Sequence, residues 1–185
     1  MVALGSLWAP ILVATVLVFI ASSLIWMVLN LHKKDWAKLP DEDAFCEALG
    51  KQNAPPGEYS FPHATSQEDW KSEDVQKKFQ RGPVGMLTLK PPGEMAMGKN
   101  MAFWLIYILV IEIFVAYLAS RTVPAGTDYL HVFRVTGTAA ILGFAGAVAP
   151  EAIWMGRKWS NVLRGIFDGV VYGLLTAGAF GWLWP

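Results

Sequence analysis

Residues 1 to 31 carry no charged side chain, and that single fact restricts what the start of this chain can become. A helix built from Leu7 to Leu31 has no polar face to show to water, because Ile11, Leu12, Val13, Val16, Leu17, Val18, Phe19 and Ile20 follow one another almost without interruption. A bilayer core of about 30 Å accepts roughly 20 such residues as a helix. A secretory signal would carry a basic start, a shorter apolar run and a small-residue cleavage site. The run has none of these, so a retained membrane anchor is expected.

Three further stretches have the same character: 102–120, 132–155 and 165–184. The chain as a whole is 54% hydrophobic and 16% charged, where soluble domains carry about 25% charged residues. The expected fold class is an all-α membrane protein with four transmembrane helices (7–31, 102–120, 132–155 and 165–184) and a Pro-rich cytoplasmic insertion, 32–100, between the first and the second. Fifteen basic and fifteen acidic residues balance, so there is no basic excess to hold a nucleic acid. With Cys46 alone and three scattered histidines, neither an internal disulfide nor a structural zinc site is expected.

Glu112 interrupts the second span. Eleven strongly apolar residues around it contribute roughly −3 to −7 kcal/mol to insertion, against about +2.5 to +3.5 for a central charge, so the helix is expected to insert. Basic residues near span ends set orientation. Placing Lys33, Lys34, Lys99, Arg157, Lys158 and Arg164 inside leaves only Arg121 and Arg134 outside, which predicts both termini outside. Trp104, Trp154 and Trp159 then mark the inner interface, and Trp8, Tyr129, Trp182 and Trp184 the outer one.

The insertion holds seven of the eleven prolines. Two short helices are expected within it. Asp41 can cap one bearing Phe45, Ala48 and Leu49, with Gly50 just past its end. Ser66 and Asp69 fit a capping box ahead of Trp70, Val75 and Phe79, ending before Gly82. Two such helices cannot enclose a core, so a partner or the bundle should cover them; a partly disordered linker is the alternative.

Chemistry inside the bilayer falls to few residues. Glu112 lies mid-span, where a carboxylate is costly and turns toward a partner or a water-filled path. At 1.5 Å rise per residue, Thr176 lies at its depth on the fourth span, Tyr172 one turn nearer the cytoplasm, and Arg134 enters the third span from outside. A proton- or cation-linked carboxylate and a hydrogen-bonded packing contact both fit Glu112. Asp168 follows Arg164 by four residues, the spacing of a helical ion pair. Glu151, after Pro150, faces Arg157 and Lys158 in sequence. Convergence of Glu112, Glu151 and Asp168 would make an acidic path open to the cytoplasm.

Gly165, Gly169, Gly173 and Ala177 form a small-residue stripe on the fourth span, and Ala139, Gly143 and Ala147 a similar one on the third. Such stripes let helices approach closely. The short connection predicts that these two face each other; homodimerisation through the fourth span is the rival.

No GxGxxG, P-loop, GxSxG, HExxH or CxxC pattern occurs, and no nucleophile has a base beside it. No enzyme activity, metal or cofactor is expected. The ending from Phe167 to Pro185 (FDGVVYGLLTAGAFGWLWP), the segment Phe61-Pro62-His63-Ala64-Thr65 and the stretch Arg81-Gly82-Pro83-Val84-Gly85 resemble a group of small bacterial polytopic inner-membrane proteins. That resemblance implies a bacterial cytoplasmic membrane and brings no activity with it. The expected function is an accessory, assembly or scaffold subunit of a membrane complex, with the lipid bilayer and a protein partner or a second copy as its contacts. The alternative is a proton-coupled small transporter or channel using Glu112.

Overall fold

The computed structural model describes residues 1–94 and 96–185. In chain order its elements are α1 (Trp8–Ser23), α2 (Glu42–Gly50), β1 (Gly57–Phe61), α3 (Gln67–Lys71), α4 (Glu73–Arg81), β2 (Gly85–Leu89), α5 (Met97–Thr122), α6 (Tyr129–Ala145), α7 (Ala149–Met155) and α8 (Trp159–Trp182). The chain divides into two compact units. One joins Met1–Trp36 to Ala96–Pro185, and the other is Ala37–Met95.

The first unit holds four helical segments long and apolar enough to cross a membrane: Leu4–Val28, Met97–Thr122, Tyr129–Met155 and Trp159–Trp182. The chain is therefore a mostly helical, multi-pass membrane protein. Each segment exceeds 23 residues, about 35 Å or more as a helix. Their outward faces carry Leu12, Val16, Ile20, Phe103, Ile106, Phe114, Leu142 and Leu174, all exposed. Water would penalise so much bare apolar surface, whereas hydrocarbon accepts it.

The helices pack as a ring: α1 against α8, α8 against α6, α6 against α5, and α5 back against α1. Leu7, Ala14, Val115, Ala119, Val132, Ala140 and Phe180 fill one cluster of the core. Val18, Ile25, Ile108 and Tyr172 fill a second. Both chain ends are tied to the same end of the ring. Val2 N–H donates to the Ser120 carbonyl at 3.3 Å, Gly126 N–H to the Pro185 carbonyl at 2.8 Å, and the Trp184 indole to the Pro124 carbonyl at 2.9 Å.

The third span is not one helix. Pro150 stands at the start of α7 and has no N–H to give to the preceding turn, so α6 stops at Ala145 and α7 begins at Ala149. Val148 N–H turns instead to the Ala145 carbonyl at 3.2 Å. Gly156, at φ +68°, ends α7 in the left-handed conformation that glycine adopts without steric cost.

The glycine stripe of α8 does seat α6, but on a different face from the one expected. A Cβ on Gly169 would stand 2.7 Å from the Ala145 Cβ, and one on Gly137 would stand 2.9 Å from the Ala177 Cβ. Gly173 lies against Ile141, and Gly165 against Val148. The α6 residues that meet α8 are therefore Gly137, Ile141 and Ala145. Gly143 instead lies under Ile111 of α5, Ala139 packs beside the first core cluster, and Ala147 is exposed past the end of α6. The glycines of α8 make room for a bulky Ile141, so a small residue opposite them is not needed.

The second unit corrects the all-α expectation. β1 and β2 pair antiparallel, from Gly57 opposite Leu89 to Phe61 opposite Gly85. Gly85 leaves space for the Phe61 ring, which a Cβ there would meet at 3.0 Å. Asp41 caps α2 by accepting from Ala44 N–H at 2.9 Å, and Gly50 is the last residue of that helix rather than the residue beyond it. The helix expected after Ser66 is two helices. Ser66 caps α3, the chain extends at Ser72 (φ −64°, ψ 144°), and the Ser72 side chain caps α4. Val75 is buried, and the Trp70 and Phe79 rings lie 5.2 Å apart.

Candidate functional site

Polar residues recur along one line of α8: Asn161, Arg164, Asp168, Tyr172 and Thr176, mostly four residues apart and so on neighbouring turns. All but Arg164 are buried. Thr176 sits deepest. Its hydroxyl donates to Glu112 Oε1 at 2.7 Å, joining α8 to α5 across the ring of helices. The Glu112 side chain is 0% exposed, and its Oε2 has no hydrogen-bond partner among the described residues. No Lys, Arg or His side chain pairs with it there. A carboxylate in such a place has to be neutralised by a bound proton or a bound cation, because its unpaired charge is expensive away from water.

Three turns back along α8, the helical ion pair expected from spacing does not form. Arg164 does not pair with Asp168. It reaches Asp35, with Nε at 2.7 Å and Nη2 at 2.5 Å from Oδ1, and its Nη2 also donates to Asn161 Oδ1 at 2.7 Å. Asn161 in turn donates to the Asp35 backbone carbonyl at 3.0 Å. Asp168 is served by the segment after α1. The Trp26 indole donates to Asp168 Oδ2 at 3.1 Å, and His32 Nε2 lies 2.9 Å from the same oxygen. The other imidazole nitrogen, Nδ1, is 2.8 Å from Asp35 Oδ2.

Local chain geometry makes this bridge. The first span ends in a wide turn at Leu24–Val28, and Asn30 takes a left-handed conformation at φ +53°. Tight turns follow, with Lys33 N–H donating to the Asn30 carbonyl and Asp35 N–H to the His32 carbonyl. These put His32 and Asp35 on the same side of the chain. The imidazole then stacks flat on Trp26, with ring centroids 3.8 Å apart and planes 2° from parallel. His32 Nδ1 shares a hydrogen bond with Asp35, whereas Nε2 stands at ion-pair distance from Asp168 without hydrogen-bond geometry. Burial pushes the Asp35 carboxyl up, but hydrogen bonds and charge from His32 and Arg164 outweigh it and hold the group below the usual carboxylate range.

His32 and Asp35 thus belong with the bundle and not with an insertion beginning at residue 32; the second unit starts at Ala37. Sequence reading passed over Trp26, His32 and Asp35. The available signal was a His and an Asp three residues apart at the mouth of an apolar span.

The remaining candidates lie elsewhere. Arg157 donates to Glu151, both side chains being partly exposed, so Glu151 stays apart from Glu112 and Asp168 and the three acids do not converge. Arg134 is exposed and has no hydrogen bond or ion pair among the described residues. Trp104 of α5 donates to Ser22 of α1 at 2.8 Å. Beside it a cavity of about 310 Å³ opens, lined by Trp26, Trp104, Tyr107, Phe144, Asp168 and Tyr172 among others. Among the described residues, no group of three or more His, Cys, Asp or Glu side chains is arranged to hold a metal ion. No family model, no curated protein and no solved structure matches the chain.

Proposed function

We propose that this chain is a proton-linked transporter or channel subunit in which Glu112 is the membrane-buried proton site and the Asp35–His32–Asp168 bridge is its mouth. The observation that carries the reading is Glu112 itself: a fully buried carboxyl group in the middle of an apolar helix, held among the described residues by Thr176 alone, its second oxygen without a partner there. Packing alone would be served more cheaply by an apolar residue, since a lone buried acid costs free energy. From Asp168 to Thr176 the line along α8 rises about 12 Å, with Tyr172 one turn along from each. Protons can pass along such a line of titratable and hydroxyl groups.

The distribution of Lys and Arg supports an orientation with the His32–Arg164 end and residues 37–95 in the cytoplasm and both termini outside. A bacterial inner membrane is part of the same proposal, as is a non-enzymatic role. The test is proton flux into vesicles reconstituted with the purified protein. Glu112→Gln should abolish flux while the protein still elutes as the wild type does; undiminished flux through Glu112→Gln ends the reading.

An accessory or scaffold role is the second reading, and one observation favours it. α2 has no buried residue, and Phe45, Phe61, Trp70, Val84 and Met86 of the second unit are exposed, as expected of a surface awaiting a partner. Purification in mild detergent checks it: a protein that always elutes alone, with residues 37–95 open to protease, counts against it.

A further inference from the structure

We infer that the cavity between α5, α6, α8 and the end of α1 binds an ammonium-headed amphiphile, its cationic head boxed by aromatic rings against Asp168 and its tail lying along α1. The inference does not rest on proton linkage.

Four rings close on one another around this cavity. Trp104 and Tyr107 stack at 5.4 Å, Tyr107 meets Phe144 edge-on at 6.3 Å, Phe144 meets Tyr172 at 5.6 Å, and Tyr172 returns to Trp104 at 6.2 Å. The faces of such rings carry negative quadrupole charge, and an organic cation over a face within about 6 Å of its centroid is attracted. Trp26 and Asp168 complete the wall. Asp168 Oδ1 and the Tyr172 hydroxyl are buried there without hydrogen-bond partners, although both residues are only 4% exposed. Buried polar atoms left unpaired are costly, and a cation lodged against this wall stabilises both oxygens through its field.

Charge points the same way. Asp168 is the charged side chain in the cavity wall, so a cation is attracted there and an anion is repelled.

Apolar grooves adjoin the box. A groove of about 250 Å³ shares Trp26 and Trp104 with the cavity and runs past Ser22, Met27 and Met101. It meets a further apolar groove of about 390 Å³ along Phe19, Ile20, Leu24 and Val28 of the first span. Together these make an apolar trough that leads from the aromatic box onto the lipid-facing side of α1, the shape of an alkyl chain rather than of a small free amine.

Tryptophan fluorescence of the detergent-purified chain gives the test, with dodecyltrimethylammonium below its micellar concentration, tetramethylammonium and an uncharged dodecyl ether as probes. Saturable quenching by dodecyltrimethylammonium is expected, with tetramethylammonium at least tenfold weaker and no saturation by the ether. Asp168→Asn and Phe144→Leu should each weaken dodecyltrimethylammonium at least tenfold. Phe144→Leu keeps an apolar side chain in place, so it still reports if Asp168→Asn fails to fold. Equal binding of the ether, or unchanged affinity in Phe144→Leu, overturns the inference. Tetramethylammonium binding as tightly as the long-chain probe overturns the tail and leaves a site for free amines. The readout is binding and not flux, so its failure leaves the Glu112 reading standing, and loss of that reading leaves this one.

Discussion

Thr176 on α8 holds Glu112 on α5 by one hydrogen bond of 2.7 Å, and these two helices are not neighbours in the ring. The bond therefore crosses the middle of the bundle. Thr176→Val keeps the shape and removes the donor, leaving a buried carboxyl group with no partner. It should cost about 1–3 kcal/mol of stability, measured by denaturant titration in detergent, whereas Thr176→Ser should stay within about 1 kcal/mol of the wild type.

Acid should loosen the mouth of the site. The Asp35 carboxyl is held below its usual range in the folded protein, so the unfolded chain binds its proton first as the pH falls. The stabilisation is therefore complete above the unfolded value, near pH 4, and drains away as the pH drops from there through the folded value. Stability measured between pH 7 and pH 2.5 should show this slope in the wild type. Asp35→Asn should be less stable at neutral pH and should lack that part of the slope; an unchanged slope would contradict the pairing with His32 and Arg164.

Glycines on α8 should differ sharply in tolerance. Gly173→Leu drives a side chain into Ile141 and its backbone and should cost about 2–3 kcal/mol or more, read as lost thermal stability or lost folded yield. Gly178 has no atom nearer than 3.9 Å to an added Cβ. Gly178→Ala should be neutral or stabilising by up to about 1 kcal/mol.

Sidedness is open to a direct check. In a Cys46→Ser background, single cysteines at Ser60, Gln80 and Thr127 can be probed with an impermeant reagent on intact cells. Labelling at Thr127 alone is expected; labelling at Ser60 or Gln80 reverses the orientation proposed above.

Some of this was readable in the sequence, and the reason is the solvent. Hydrocarbon demands long apolar helices with every backbone group paired internally, so the four spans follow from composition alone. Thr176 could be matched to Glu112 because helical rise converts residue count into depth. His32 and Asp35 escaped because their partners lie on α8, more than 120 residues away in sequence, and no periodicity links a turn to a distant helix. Arg164 and Asp168 misled for a related reason. Spacing of four puts two side chains within reach, but Asp35 offers the guanidinium a nearly fully buried oxygen, while Trp26 and His32 already occupy Asp168. β1 and β2 are five residues each and separated by two helices, so neither length nor a tight turn announced them.

The two faces of α8 have a mechanical corollary. Toward α6 its glycines lock backbone to backbone with no slack, so those two helices must travel as one rigid body. Toward α1 and α5 it presents hydroxyls, acids and large rings, contacts that can be exchanged one at a time. Any opening that wets Glu112 should therefore be a hinge between an α6–α8 half and an α1–α5 half, with the seam running through Thr176 and His32.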